Sequence, residues 1–366
     1  MFLNKLSLIN FKNYEQLELD LSPRINCFVG NNGAGKTNLL DAIYYLSLTK
    51  SYFNTIDSQN IMYDKDFFII QGEYERNETK ENVYCGVQKN KKKQFKRNNK
   101  EYKKLANHIG FVPVVMISPA DSSLIIEGSD ERRKFMNAVI SQYDVEYLDD
   151  LIKYNRALIQ RNLLLKEFAR KENFNKEYLE IWDEQLIPLG EYINKKRREF
   201  TTELLPIFKD YYKSISEGIE EVDLIYNSQL LDGDFRTLMN NAIEKDRILQ
   251  YTTVGIHKDD LSLNIGNYPI KRNGSQGQQK TFLVSLKFAK FDFIKKVNGF
   301  TPILLLDDIF DKFDSNRVKQ IIQLVADQNF GQIFITDTNR ERIGKILKTL
   351  SANYKLFVVD KGNITE

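Results

Sequence analysis

The sequence predicts an α/β domain assembled from both ends of the chain, with a mainly helical lobe inserted between its two halves. Three observations carry that prediction. Residues 1–118 and 255–366 alternate strand-like and helix-like stretches; residues 119–254 repeat apolar positions at three- and four-residue spacing; and a glycine-rich loop, "GNNGAGKTN" at 30–38, joins a buried strand to a helix. With 366 residues, 42% hydrophobic and 28% charged, the chain has ample material for a core.

From Leu3 to Leu21 the pattern alternates, "LSLINF" then "QLELDL" with Lys12-Asn13 between, which predicts two antiparallel strands feeding the buried strand Ile25 to Val29. After the glycine loop, Asn38 to Thr49 reads as a helix apolar over much of its circumference, as an interior helix is. Residues 67 to 105 return to alternation in "FFIIQGEYER" and "NVYCGVQKN", end in the basic run "KNKKKQFKRNNKEYKK", and precede another buried strand, "VPVVMIS". From Ser129 to about Gly218 two or three long amphipathic helices are expected, with Pro188-Leu189-Gly190 and Pro206 as candidate kinks. The remainder reads as the strand "LSLNIG", a helix from Gln276 to Lys295, the strand "PILLLDD", a helix from Asp314 to Asp327, and the strands "QIFITD" and "KLFVVDKGNI".

Charge and cysteine content narrow the function classes little. The 53 Lys+Arg against 50 Asp+Glu leave +3, so a nucleic-acid surface must come from local segregation of charge. Cys27 and Cys85 are too few for a disulfide framework or a zinc cluster, which favours a reducing compartment. Lys5 and Lys12 interrupt the N-terminal apolar residues, unlike a signal peptide, and no stretch reaches the roughly 18 uncharged apolar residues of a spanning helix. A cytoplasmic location with no membrane partner is expected.

Gly30, Gly35, Lys36 and Thr37 satisfy G-x-x-x-x-G-K-[ST], with a strand before and a helix after. In that setting Gly30, Asn31, Asn32, Gly33, Ala34, Gly35, Lys36, Thr37 and Asn38 form a candidate phosphate cradle. Glycines let backbone N–H groups converge on phosphate oxygens, Lys36 supplies a point charge, and Thr37 can ligate Mg²⁺. The alternative is a glycine-rich turn without a ligand. "ILLLDD" places Asp307 to hold Mg²⁺, directly or through water, and Asp308 as candidate base for an attacking water; a capped strand end is the bland reading. Asp is one methylene shorter than Glu, so slow hydrolysis is expected if the reach of a Glu is optimal in related sites.

"NGSQGQQKTFLVSLKFAK" opens a helix at Gly274, Ser275 and Gly277, a start that binds an anion or acts merely as an N-cap. The basic run offers Lys91, Lys92, Lys93, Lys96 and Arg97, interleaved with Phe95 and Tyr102, for DNA phosphates. A solvated hairpin tip explains it equally well. Arg132, Arg133 and Lys134, and Lys195 to Arg198, are second-choice patches. His108 and His257 cannot make a metal site with two scattered cysteines; His257, close before "GSQGQQK", reads as a structural histidine or as one touching the active site, Trp182 as core, and Cys27 as a small buried hydrophobe.

Taken together, "LSLINFKNYEQLEL", "INCFVGNNGAGKTNLLDAIYYLSLTKSYF", "VVMISPADSSLIIEGSDERRKFMN", "GIHKDDLSLNIG", "SQGQQKTFLVSLKFAK" and "ILLLDDIFDKFD" resemble, nearly end to end, the RecF family of bacterial recombination and repair ATPases. That family is related to the chromosome-maintenance and ABC-type ATPases. The resemblance implies an ABC-type P-loop ATPase head built from N- and C-terminal segments. It implies ATP and Mg²⁺ as cofactors, with Lys36 and Asp308 catalytic, and Ser275, Gly277 and Gln278 meeting the γ-phosphate of a second copy. Lys12 and Asn13, matching the family's Arg-Asn, would approach the nucleotide or else be plain exposed turn residues. It implies, further, an ATP-dependent head-to-tail homodimer that clamps DNA at single-strand/double-strand junctions and a weak DNA-dependent ATPase, with RecR, RecO and RecA as partners.

Departures from the family pattern are Phe53, where a basic residue is common, and Ile256 and Lys258, where Pro and Arg are more frequent. "FITDTN" lacks a switch histidine, leaving Thr336 or Asp337 to sense the γ-phosphate or to end a strand. A transporter ATPase subunit would carry its signature nearer the phosphate loop. The helical block is too short for a long-armed chromosome-organising ATPase. A short-armed relative of that group and a non-hydrolysing ATP-binding clamp remain as alternatives.

Overall fold

The computed structural model describes residues 1–366 except 217, 219, 313, 314, 328, 329, 351 and 352, and leaves out the side chains of 311, 312, 315, 316, 326, 327, 346 and 348–350. The chain forms two compact units. The first comprises Met1–Asp121, Tyr211–Gly218 and Lys280–Glu366; the second comprises Ser122–Asp210 and Ile219–Gln279. Among the described residues no helix is long and apolar enough to cross a membrane.

Two six-stranded sheets build the first unit. One is antiparallel. Phe2–Phe11 pairs with Tyr14–Asp20 on one side and with Phe67–Arg76 on the other, and Thr79–Gln88, Gln94–Arg97 and Lys100–Glu101 follow outward. The alternation of "FFIIQGEYER" sends Phe68, Ile70 and Tyr74 to the core face, as period-2 patterning requires. The helix Lys36–Leu48 contributes Leu39, Leu40, Ile43 and Leu46 to the same core; it is apolar on nearly every side and begins two residues before the expected Asn38.

The second sheet explains why both chain ends belong to one unit. Its order runs Asn363–Thr365, Tyr354–Asp360, Ile25–Val29, Ile333–Asp337, Ile303–Asp307, Val114–Ile117, and all but the first strand are parallel. Ile25–Val29 therefore lies between two strands from the far end of the sequence. Such strands are buried on both faces, which accounts for the unbroken apolar runs "INCFV" and "ILLL". Beyond Asp307 and the short 3-10 turn Ile309–Lys312 the next α-helix is Ser315–Asp327; Asp314, expected as its start, lies outside the described residues.

The second unit is mainly helical. Its helices include Ser129–Ile140, Val145–Lys171 and Phe235–Leu249. The 41-residue helix Lys176–Ser216 continues through Pro188 and Pro206, so neither proline ends it. Asp144 caps Val145–Lys171 by accepting from the Tyr147 N–H at 2.8 Å. A three-stranded sheet, Tyr268–Pro269, Asp260–Ile265 and Val222–Asn227, completes the unit; the strand Val222–Asn227 was not anticipated.

Three segments fall on the other side of the division from the 119–254 lobe expected, the short stretch 119–121 among them, which stays with the first unit. Residues 255–279 join the lobe because Asp260–Ile265 is hydrogen-bonded to Val222–Asn227. Residues 211–218 join the first unit, where the rings of Tyr211 and Tyr212 meet Phe288 and Phe282.

Candidate nucleotide site

Sheet order alone assembles the centre of this site. Parallel strands end on the same edge, so the loop after Val29, Asp307 and Thr336-Asp337 share one rim of the sheet. Register does the rest: Asp307 stands opposite Thr336, and Thr336 opposite Phe28.

Two glycines in the loop are sterically obligatory. A Cβ on Gly30 would sit 2.2 Å from the Val359 carbonyl oxygen. Gly35 has φ 116°, and a Cβ there would come within 2.3 Å of the Asn13 amide. Asn13 donates from Nδ2 to the Ala34 carbonyl at 3.2 Å and accepts from Asn38 Nδ2 at 2.6 Å. The loop is thus clamped from outside by the Lys12-Asn13 turn of the antiparallel sheet.

Lys36 folds back onto its own loop, donating from Nζ to the carbonyls of Gly30 at 2.8 Å and Asn31 at 3.1 Å. Thr37 donates from Oγ1 to Asp307 Oδ1 at 2.8 Å. Thr336 donates to that same oxygen at 2.8 Å and accepts from the Asp308 N–H at 3.0 Å, so one hydroxyl ties both acids together. Burial raises the Asp307 carboxyl above the usual carboxylate range; the hydroxyls of Thr336, Thr37 and Ser118 and the charge of Lys36 pull it down. Asp308 has φ 46°, a left-handed conformation that non-glycine residues rarely adopt. The hydroxyl and carboxylate oxygens of Thr37 and Asp307 are the hard donor set that suits Mg²⁺.

Several participants were not legible from spacing. Ser118 donates to Asp307 Oδ2 at 3.3 Å, and its N–H donates to Asp121 at 2.8 Å. Asp121 also accepts from Tyr52 and is ion-paired with Lys287. Sheet order is the only signal for this knot, since Val114–Ile117 neighbours Ile303–Asp307. Burial beside Lys287 pushes Lys290 down to about 7. Of the two candidate sensors, Thr336 faces Asp307, whereas Asp337 is held by Arg342 through bonds of 2.7 and 2.8 Å. Lys12 is already committed, with Nζ 2.5 Å from the fully buried Asp41.

In the second unit Ser275 and Gln278 form a reciprocal capping box: the Ser275 N–H donates to Gln278 Oε1 at 2.6 Å, and the Gln278 N–H donates to Ser275 Oγ at 3.2 Å. Ser275 is exposed at the helix start and Gly277 is half-buried.

The basic run is less free than its composition implied. Lys93 is held by Asp57 at 2.7 Å and by the Thr49 carbonyl at 2.7 Å. Arg97 makes a two-pronged pair with Glu81, at 2.9 and 2.5 Å. Phe95, expected among the exposed cations, is core at 1% exposure. Lys91 and Lys92 are exposed, and Lys96 is half-buried over the Tyr84 ring.

Within the second-choice patches Arg132 and Arg197 turn inward, whereas Lys134, Lys195 and Arg198 stay exposed. Arg132 grips Asp260 at 2.6 and 2.9 Å, and Arg197, 1% exposed, pairs with Asp259 at 2.6 Å. Their acid partners lie far along the chain, so local charge density misread them. Burial drives both histidines down to about 4: His108 contacts the Leu46 carbonyl at 2.7 Å, and His257 contacts the Tyr154 hydroxyl and the Thr252 carbonyl, each at 2.9 Å. Burial likewise pushes the Cys27 thiol up to about 12, fitting a small hydrophobe; Trp182, expected in the core, is half-buried.

Comparison with known proteins places this geometry in a family. The profile of the RecF/RecN/SMC N-terminal domain matches residues 2–365. The DNA replication and repair protein RecF of Phocaeicola vulgatus is 54% identical, over 100% of this chain and 98% of that protein. RecF of Flavobacterium johnsoniae is 52% identical, over 98% and 99%. A solved structure of the recombination mediator RecF with ATP, from the RecFOR pathway, superposes with a TM-score of 0.89 at 28% identity, covering 100% of this chain and 97% of that one. An Smc head from Pyrococcus furiosus shares the fold, with a TM-score of 0.58 at 16% identity. With a phosphate loop, acid pair and mixed-origin parallel sheet in place, and relatives matched from end to end, the chain belongs to the RecF family of DNA replication and repair proteins, built on an SMC-type ATPase head.

Proposed function

We propose that this chain is an ATP-gated DNA-binding protein of recombinational repair, in which ATP joins two copies head to tail around DNA and slow hydrolysis releases them. The observation that carries the reading is the contact of Thr37 and Thr336 with Asp307 beside the Lys36 cradle. In the ATP-bound state Lys36 exchanges the carbonyls of Gly30 and Asn31 for phosphate oxygens, and the backbone from Asn31 to Asn38 supplies N–H donors. Thr37 and Asp307 are the residues that would hold Mg²⁺, and the ion would there neutralise phosphate charge.

Asp308, fixed through its N–H by Thr336, orients and deprotonates the attacking water. Asn13 keeps the loop shaped from outside. Ser275 opens its hydrogen bonds with Gln278 to meet the γ-phosphate bound by the other copy, with Gly277 leaving room for backbone approach. An interface that contains the ligand makes dimerisation nucleotide-dependent by mass action.

DNA phosphates are met by Lys91 and Lys92, with Lys96 beside them. The exposed Phe53 ring, capped by Lys12 at 5.5 Å, offers no charge to phosphates. Gapped duplex as the substrate, and RecR, RecO and RecA as partners, rest on membership of the family whose ATP-bound member is a recombination mediator.

Sedimentation of wild type and Lys36→Met, each with ATP and with or without gapped duplex, tests the scheme. Wild type is expected to dimerise with ATP and more strongly with DNA, and Lys36→Met to stay monomeric throughout. An ATP-independent dimer, or a monomer under all conditions, refutes it.

A further inference from the structure

One strip of the outer face of the antiparallel sheet is apolar, although polar residues such as Ser7, Gln71 and Glu73 occupy the rest of that face. Phe68 and Ile70 point inward at 0% exposure, so strand parity turns Phe67 and Ile69 to the opposite side. Phe67 is 40% exposed and Ile9 36%. Register aligns Ile9 with Ile69, Ile69 with Gly86, and Tyr84 with Lys96, giving a continuous strip across four strands. A solvated sheet face ordinarily carries polar side chains at these positions.

Gly86 has a specific role in this strip. A Cβ there would lie 2.7 Å from the Tyr84 hydroxyl, so the glycine lets the tyrosine ring lie along the sheet. The Lys96 ammonium sits 5.3 Å from the centre of that ring. Beside it opens a cavity of about 160 Å³ lined by Phe67, Tyr84, Gly86, Lys91, Lys92 and Gln94, among others, and none of its lining residues is a carboxylate.

We propose that this face is a stacking platform for unpaired bases, with Phe67 and Tyr84 taking base faces and Lys91 and Lys92 the adjoining phosphates. Aromatic surface beside uncompensated ammonium groups matches a ligand that joins planar rings by a polyanionic backbone. Duplex DNA presents base edges in its grooves and keeps the faces stacked, so the platform selects single strands. This deepens the DNA-binding reading above and rests on it. It gives the same protein one means of recognising the single-stranded side of a junction.

Fluorescence anisotropy of the full chain tests it, with a labelled oligo(dT), an abasic strand of equal length and a duplex as probes, and binding of a fluorescent ATP analogue measured in parallel. Wild type is expected to bind oligo(dT) about tenfold tighter than the abasic strand. Phe67→Ala should bring that ratio near one with duplex and ATP-analogue binding unchanged, and Tyr84→Leu serves as a second variant. Lys91→Glu/Lys92→Glu should weaken all three DNA probes and flatten their salt dependence.

Equal affinity of wild type for the dT and abasic strands, or a ratio unmoved in both aromatic variants, overturns the platform. So does DNA-free self-association that Phe67→Ala abolishes, which would make the strip an interface between copies. Loss of ATP-analogue binding with the base ratio intact sinks the ATP-gated scheme and leaves the platform standing.

Discussion

Replacing Arg161 with leucine strands two carboxylates in the second unit. Arg161 is fully buried and donates to Asp183 at 2.6 Å, Asp246 at 2.6 Å and Thr252 at 2.9 Å. Removing one partner of a buried ionic group costs about 3–5 kcal/mol, because the remaining charge keeps its desolvation penalty and loses its compensation. With a urea slope of about 2 kcal/mol per molar, the unfolding midpoint should fall by about 1.5–2.5 M.

Trp182, the chain's single tryptophan, precedes Asp183 and reports on this unit by fluorescence. Burial already holds the Asp183 carboxyl above its usual range, and the guanidinium opposes that shift. In Arg161→Leu the folded state therefore binds protons more readily than the unfolded chain. Its deficit relative to wild type should shrink from pH 7 to pH 5. Converting Arg161 and Asp183 together to leucine should recover part of the loss, with Asp246 keeping its hydrogen bonds from the Thr253 N–H and hydroxyl. A deficit below about 1 kcal/mol at pH 7, or one that grows at pH 5, would refute the ionic account.

Asp308→Asn is expected to retain ATP and accumulate ATP-bound dimers, seen by sedimentation and by nucleotide retained after gel filtration; nucleotide exchange equal to wild type would instead indicate a clamp that never hydrolyses. His257, held down to about 4 by burial, stays neutral where an unfolded histidine with a pKa near 6.5 gains a proton. Its contribution is intact above pH 6.5 and lost as pH falls towards 4. Between pH 7 and pH 5, wild type should lose about 2 kcal/mol more than His257→Gln in Trp182-monitored urea unfolding, and equal losses would show that the histidine is not held neutral.

The parts of the site confined to one strand–loop–helix step were readable in advance. Gly30, Gly35, Lys36 and Thr37 carry their geometry in local backbone chemistry, and Asp307 ends an apolar run that only a buried strand explains. Thr336 was visible only as one of two alternatives, because its bond to Asp307 depends on neighbouring strands drawn from separate parts of the chain. Ser118, Asp121 and Lys287 were invisible for the same reason. Basic residues misled most: Lys93 and Arg97 look available in a lysine-rich run, yet Asp57 and Glu81 claim them.

Short-range periodicity and glycine placement by themselves determined the α/β class, the inserted helical block and the phosphate loop, since these depend on residues within a few positions of one another. Tertiary structure decided which hydroxyls hold Asp307, which cations stay free, and where the division between the units falls. Those outcomes turn on charge pairing and strand order, and both bring together residues whose separation along the chain leaves no periodic trace.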